Sequence, residues 1–205
     1  RFYALKQICK FQANGESLEA LLLEERNTLA SLEGDQHVKL HFAFQTQQFC
    51  YFVLDFVPGG DLGSLHRKVD KFEEEEAKFF IVQILLALAE LHRKNIIYRD
   101  LKLDNLLVDL EGYIKLCDYG LSTKLDENKR LIHTICGTPQ FMSPEMLGRI
   151  GYDMRTDYFS LGVVLYEMVT GDLPFNHANR KQMFYNIIKS HSITSLLFNW
   201  TFSQI

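Results

Sequence analysis

The chain has 205 residues, of which 47% are apolar and 23% are charged, and its net charge is −4. These proportions are typical of a soluble globular protein, built as one large domain or as two small lobes. Lysine and arginine form no long block, which argues against nucleic acid or an anionic membrane as a partner and leaves a basic peptide open.

Two further features bear on the cellular setting. The longest mostly apolar run, residues 158–169, contains Ser160, Gly162 and Glu167 and is too short to span a membrane. The four cysteines are far apart and form no C-x-x-C pair, so we expect reduced thiols in a cytoplasmic protein.

The first part of the chain predicts a small sheet with one helix. Alternating apolar residues over 2–8 indicate a strand, and leucines at helical spacing indicate a helix over 17–32 that Ser17 would cap. Two more strands, 37–45 and 49–57, are joined by a short "TQQ" turn. "PGG" at 58–60 then ends the strand and permits a hinge.

The remaining chain predicts mainly helices. After a short segment at 61–69, a long helix is expected over 73–93, with four glutamates at its positive end. Its expected apolar face consists of Phe80, Ile81, Ile84, Leu85, Leu88 and Leu91. Short strands at 106–110 and 113–117 and a polar loop at 122–138 precede a buried helix at 156–170 and an amphipathic one at 180–189.

Two motifs carry the candidate chemistry, "IYRDLKLDN" at 97–105 and "LCDYG" at 116–120. Phosphoryl transfer from ATP needs a carboxylate for the acceptor hydroxyl, oxygen ligands for magnesium and cations for the phosphates. Asp100 could accept the hydroxyl proton, and Lys102 could neutralise charge on the moving phosphoryl group. Asn105 and Asp118 could meet across one magnesium ion, since the strands between them turn back on themselves.

A plainer interpretation is a hairpin whose Asp and Asn residues only form turns. A four-residue match of the type R-D-L-x-x-x-N arises by chance at about one position in 10⁵. One match is therefore suggestive, and the ordered set of motifs decides between the interpretations.

That ordered set resembles the eukaryotic protein kinases over nearly the whole chain. "YALK" resembles their V-A-I-K strand, which makes Lys6 the lysine that holds the α- and β-phosphates and Glu25 its helical partner. "YRDLKLDN" is similar to H-R-D-L-x-x-x-N with Tyr98 in place of His, "DYG" to D-F-G, and "SPE" to A-P-E. The resemblance implies ATP and Mg²⁺ as cofactors.

Several replacements resemble one branch, the AGC group of serine/threonine kinases. They are Tyr98 before Arg-Asp, "PGGDL" after the hinge, and "TICGTPQFMSPE". Within that group the sequence looks most like protein kinase C, the atypical subgroup in particular.

The resemblance implies an α+β, two-lobed kinase fold, with a small antiparallel-sheet N-lobe at 1–57, a hinge at 58–61 and a mainly helical C-lobe at 62–205. Both lobes are expected to be incomplete and the domain truncated at both ends. The Gly-rich phosphate loop would precede "YALK", and the final helices and C-terminal tail would follow "FNWTFSQI".

The resemblance also assigns nucleotide-binding residues. Ala4 and Leu107 would enclose the adenine, with Leu54 as gatekeeper. Asp55 and Val57 would offer hinge backbone groups. Asp61 would contact the ribose, while Lys6 and Asp118 would act on the phosphates and metal.

Substrate-binding and regulatory residues follow in the same way. Asp61, Asp104 and Glu167 match positions at which relatives hold arginines N-terminal to the phosphoacceptor; alternatively, Glu167 is only one polar residue on a buried helix. Lys102 together with Thr138 is the serine/threonine pattern. The expected activation-loop phosphosite, a target for an upstream kinase, is Thr134.

Three other assignments concern how the catalytic loop is held. Arg99 would receive the phosphate on the activation loop, and Asp157 would anchor the catalytic-loop backbone. Leu29 and Tyr119 match an apolar stack that links the helix to the metal motif, although ordinary core residues would look the same.

Two functions of different classes follow. One is a serine/threonine protein kinase that acts on protein substrates with basic motifs. The other is a pseudokinase or truncated binding module without catalysis. Retention of all the charged catalytic groups together favours the enzyme. A Rossmann-type nucleotide-binding fold is disfavoured because the chain has no strand, G-x-G-x-x-G turn and helix in succession.

Overall fold

A computed structural model describes residues 2–10, 17–125 and 131–190. The segment "FNWTFSQI", the side chain of Ser17 and residues 126–130 of the expected polar loop lie outside this set. Within it, no helix has the length and apolar character that crossing a bilayer requires.

A three-stranded antiparallel sheet forms the first part of the molecule. It consists of β1 (Tyr3–Cys9), β2 (Leu40–Gln45) and β3 (Phe49–Asp55) in the order β1-β3-β2. Lys6 lies opposite Phe52 in this register. Because side chains alternate along a strand, Ala4 and Lys6 share one face of β1.

The helix α1 (Ser17–Ser31) lies between β1 and β2 in the chain. Leu22 and Leu29 are buried, as their helical spacing predicts, whereas Leu21 is exposed. Glu25 is buried on the same helix, one turn before Leu29.

The chain then leaves the sheet through a tight crossing at Gly59. The Gly59 amide donates to the Val108 carbonyl at 2.9 Å, and a Cβ at Gly59 would lie 2.3 Å from that oxygen. Only glycine permits this approach. The crossing leads into α2 (Leu62–Val69), where the sequence indicated only a short segment.

The long helix α3 (Glu74–Arg93) begins at a capping box between Glu73 and Glu76. The expected apolar face was wrong at Leu85, which is 39% exposed. Gln83 is buried on that helix instead, and its side-chain oxygen accepts from the Ile114 amide at 2.9 Å.

Short elements follow and hold the candidate site. The strands are β4 (Ile96–Ile97), β5 (Leu106–Val108), β6 (Ile114–Leu116) and β7 (Thr123–Lys124), paired as β4-β7 and β5-β6. A 3₁₀ turn, Leu103–Asn105, immediately precedes β5. The helices are α4 (Pro144–Leu147), α5 (Arg155–Thr170) and α6 (Arg180–Lys189).

One hydrophobic core extends from the sheet into the helices. It includes Leu29 of α1, Phe52 of β3, Leu88 of α3 and Val164 of α5. Leu101 of the "RDLKLDN" loop is fully buried in the same core. The packing of Leu101 therefore holds the polar residues of that loop in place.

Candidate active site

An ion-paired triad joins the sheet, α1 and the "DYG" turn. Lys6 Nζ donates to Glu25 Oε1 at 2.6 Å and to Asp118 Oδ1 at 2.8 Å. The three residues are separated by 19 and 112 positions in sequence. The helix thus presents its one buried carboxylate to the cation of β1.

Burial and charge compete at each group of this triad. Burial alone would lower the pKa of Lys6, but Glu25 and Asp118 raise it above its ordinary value. Burial raises the pKa of Glu25 by more than the Lys6 charge lowers it. Burial also pushes the pKa of Asp118 upward, but Lys6 holds it below its ordinary value. Lys6 and Asp118 are therefore both charged at neutral pH.

A second cluster surrounds the Asp100 carboxylate. Lys102 Nζ donates to Asp100 Oδ2 at 2.8 Å and to Thr138 Oγ1 at 2.9 Å. The Thr138 amide and hydroxyl donate to Asp100 Oδ1 at 2.9 and 2.7 Å. Asn105 Nδ2 donates to Asp100 Oδ2 at 3.1 Å. Every contact holds the carboxylate in one orientation.

Gly137 allows Thr138 to reach Asp100. Its φ is +98°, and a Cβ there would lie 2.4 Å from the Arg99 carbonyl oxygen. A side chain would therefore be disfavoured both by the backbone conformation and by a clash with backbone.

The backbone before Asp100 is fixed by Asp157, as the resemblance implies. Asp157 Oδ2 accepts from the Tyr98 amide at 3.0 Å, and Oδ1 accepts from the Arg99 amide at 2.9 Å. His92 Nε2 lies 2.8 Å from Asp157 Oδ2. These contacts hold Arg99 at φ +71°, a conformation that costs a residue with a side chain about 1 kcal/mol or more.

A cavity of about 300 Å³ opens between β1, β3 and the "DYG" turn. It brings together most of the expected nucleotide-binding residues: Ala4, Lys6, Glu25, Leu54, Asp55, Leu107 and Asp118. Val57 and Asp61 are not among its lining residues. Val38 and Cys117, which the motifs did not single out, also line it. Burial raises the pKa of Cys117 to about 12, so its thiol is neutral.

The donor set fits a hard divalent cation. The Cys117 amide donates to the Asn105 carbonyl at 3.0 Å, which places Asp118 next to Asn105. The Asn105 amide nitrogen is used on Asp100, which leaves the side-chain oxygen of Asn105 for another partner. A carboxylate and an amide oxygen, completed by phosphate oxygens and water, are ligands that Mg²⁺ prefers.

The acidic residues expected to bind substrate form a second group, near α2. Asp61 caps that helix by accepting from the Ser64 amide at 2.6 Å. Asp104 Oδ1 accepts from Arg67 Nη1 at 3.1 Å, a contact that the motifs did not predict. Glu167 Oε2 is buried and has no hydrogen-bond partner among the described residues.

The expected phosphosite, Thr134, is exposed, and its carbonyl oxygen accepts from the Tyr152 hydroxyl at 2.5 Å. Arg99 Nη1 donates to the same hydroxyl at 3.2 Å. Tyr152 therefore connects the Thr134 backbone to the cation that is expected to receive its phosphate.

Sequence reasoning missed two side-chain contacts around the site. Glu24 Oε1 accepts from the Thr123 hydroxyl at 2.7 Å and from the Lys124 amide at 3.0 Å, joining α1 to β7. The Tyr119 hydroxyl lies 2.6 Å from His37 Nδ1. The only sequence signal was the Tyr of "DYG", whose added hydroxyl needs a partner once it is buried.

Comparison with known proteins gives concordant matches. Putative ribosomal protein S6 kinase alpha-1 of Caenorhabditis elegans is 40% identical over 188 residues, which cover 92% of this chain and 24% of that protein. Ribosomal protein S6 kinase alpha-2 of Mus musculus is 43% identical over 166 residues, covering 81% of this chain and 23% of that protein. The human alpha-3 protein gives 43% identity over 166 residues, covering 81% and 22%.

The chain therefore spans about a quarter of the length of these relatives. Their names support the broader resemblance, to serine/threonine kinases of the AGC group, and do not specifically support protein kinase C. The family model named Protein kinase domain matches residues 1–204. With its small antiparallel sheet followed by a mainly helical part, as predicted, the chain belongs to the protein kinase domain family.

Proposed function

We propose that this protein is a serine/threonine protein kinase, which transfers the γ-phosphoryl group of ATP to hydroxyl groups of protein substrates. The observation that carries the proposal is the Asp100 cluster. Its carboxylate is oriented by Lys102, Asn105 and Thr138 within 3.1 Å. That arrangement matches the parts that phosphoryl transfer requires: an acceptor for the hydroxyl proton and a cation beside the transferred group.

Each residue has a role that follows from its contacts. Asp100 would orient the substrate hydroxyl and take up its proton, while Lys102 stabilises negative charge beside it. Lys6, held by Glu25, would bind phosphate oxygens. Asn105 and Asp118 would hold Mg²⁺, which neutralises phosphate charge when it is bound.

We assign the adenine to the cavity lined by Ala4, Leu54 and Leu107. The Asp55 amide donates to the Lys39 carbonyl at 3.0 Å, and backbone contacts from Asp55 to the base stay a prediction. Contacts from Val57 to the base and from Asp61 to the ribose stay predictions. The lobe boundaries at residues 57 and 61 also stay predictions.

We propose protein substrates with basic residues before the acceptor, because three carboxylates, Asp61, Asp104 and Glu167, lie together around α2. An upstream kinase would act on the exposed Thr134, with Arg99 as the cation for its phosphate. Membership of the atypical protein kinase C subgroup stays a finer prediction. A cytoplasmic location stays a prediction.

The second candidate, a pseudokinase or non-catalytic binding module, is less well supported. Lys6, Glu25, Asp100, Asn105 and Asp118 are all present and bonded in the two clusters described above. A scaffolding function does not require this combination of side chains, in which the buried carboxylates of Glu25 and Asp100 are costly to maintain.

The test uses the full-length protein, Mg-ATP and a serine peptide that contains arginine. We expect Asp100→Asn to reduce phosphoryl transfer at least about 100-fold, the usual contribution of a general base. Asp172→Asn, which makes the same change at an exposed position beyond α5, serves as the matched control. Equal activity of Asp100→Asn and wild type would refute the role of Asp100.

A further inference from the structure

Arg67 of α2 lies inside the acidic group that is proposed to bind substrate. Its Nη1 is 3.1 Å from Asp104 Oδ1, and its Nη2 is 3.6 Å from Asp61 Oδ1. The Ser64 hydroxyl accepts from Nη2 at 2.9 Å and so orients the guanidinium group. A cation of the chain itself thus occupies carboxylates that an incoming arginine would use.

The sequence of α2 makes room for this arrangement at Gly63. A Cβ there would lie 3.1 Å from Asp104 Oδ1 and 3.2 Å from Arg67 Nη1. Glycine is a poor helix former, and Gly63 lies inside the helix. Its lack of a side chain lets Arg67 reach across the helix surface to Asp104.

The third carboxylate, Glu167 on α5, lies within electrostatic reach of both Asp104 and Arg67. Its Oε2 is buried and has no hydrogen-bond partner within the described parts of the chain, whereas Arg67 bonds to Asp104. Burial and the negative charge of Asp104 raise the pKa of Glu167 to about 7, although Arg67 acts in the opposite direction. Asp61 and Asp104 both lie close to the single guanidinium of Arg67, so the group keeps a negative charge that a cationic peptide could neutralise.

We propose that Arg67 is a specificity-determining residue, an internal counter-ion that competes with substrate arginine for Asp104. A peptide with one arginine gains the contact to Glu167, while a peptide with two also displaces Arg67 from Asp104. Arg67 therefore reduces the affinity that a second basic residue adds to a peptide. This inference rests on the proposed kinase function and specifies its substrate class.

The experiment measures binding of fluorescent serine peptides that carry no, one or two arginines, by anisotropy with the full-length protein. Arg67→Met should tighten binding of the two-arginine peptide about two- to fivefold, as expected when a partly exposed ion pair no longer has to be displaced, and should change binding of the one-arginine peptide less. The gain should shrink at high salt. Lys68→Met removes the same charge from the neighbouring, exposed position of α2 and should change binding by less than half of that factor.

Asp104→Asn completes the comparison, because it removes the group for which the two cations compete. In that background Arg67→Met should no longer tighten binding. Thermal melts check that the variants are folded, and the exposed positions of Arg67 and Asp104 make this the expected result.

Unchanged or weaker peptide binding in Arg67→Met would overturn the inference alone, provided that wild type still prefers arginine peptides. Absence of any arginine preference in wild type would overturn both the inference and the proposed substrate class. Because anisotropy requires no catalysis, arginine preference without phosphoryl transfer would count against the proposed activity and leave the inference standing.

Discussion

Glu167 should make peptide binding depend on pH near neutrality. With a pKa of about 7, its carboxyl group is about nine-tenths charged at pH 8 and about one-tenth charged at pH 6. If the substrate arginine binds only the charged form, affinity should rise about tenfold between these values. The charged groups that act on Glu167 are Asp104, which raises its pKa, and Arg67, which lowers it.

The assay is the KM of an arginine peptide at pH 6, 7 and 8, with ATP saturating. In Glu167→Gln the amide has nearly the same shape but no charge, so the KM should be higher at pH 8 and nearly constant with pH. A peptide without arginine provides the control for other titrating groups. The same pH dependence in wild type and Glu167→Gln would refute the assignment.

The same shift has a consequence for stability that needs no substrate. The pKa of Glu167 is raised from 4.5 in the unfolded chain to about 7 in the fold, so the folded state holds its proton more tightly. Its contribution to stability is complete below about pH 4.5 and is lost as the pH rises through about 7. The thermal midpoint of wild type should therefore fall, relative to Glu167→Gln, across this interval.

Two substitutions test the contacts of the nucleotide cavity. Lys6→Met leaves the buried carboxylate of Glu25 unpaired. We expect it to lower the free energy of unfolding at pH 7, measured with urea, by about 3 kcal/mol and to abolish nucleotide binding. Unchanged stability would contradict the ion pair between Lys6 and Glu25. Tyr119→Phe removes a hydroxyl 2.6 Å from buried His37 Nδ1 and should lower the free energy of unfolding by about 1–3 kcal/mol in the same assay. A smaller decrease would argue that a water molecule replaces the hydroxyl.

Local sequence pattern predicted the elements whose signal lies within one segment. The helix α6 occupies the predicted residues 180–189, and β1 and β3 lie within one or two residues of their expected bounds. By contrast, β4 and β7 are two residues each, and their paired residues, Ile96 with Lys124 and Ile97 with Thr123, are far apart in sequence. Periodicity over so short a span carries no information, and only tertiary packing defines such strands.

In the candidate site, too, sequence predicted contacts within one segment better than contacts between distant segments. Asp100, Lys102 and Asn105 lie on one loop, so their spacing in sequence already constrained their geometry. The contact between Arg67 and Asp104 spans 37 residues and depends on the absence of a side chain at Gly63, in a stretch that the sequence indicated only as a short segment. Charge pairs of this kind require coordinates, because any exposed cation could have been the partner.

Glu24 and Glu25 are successive residues on α1, and consecutive helical side chains diverge by about 100°. The Glu24 carboxylate is bonded to Thr123 of β7, while the Glu25 carboxylate is bonded to Lys6 in the cavity. Rotation of α1 about its axis would withdraw both carboxylates at once. The contact of α1 with β7 and its contact with Lys6 therefore both depend on the orientation of this one helix.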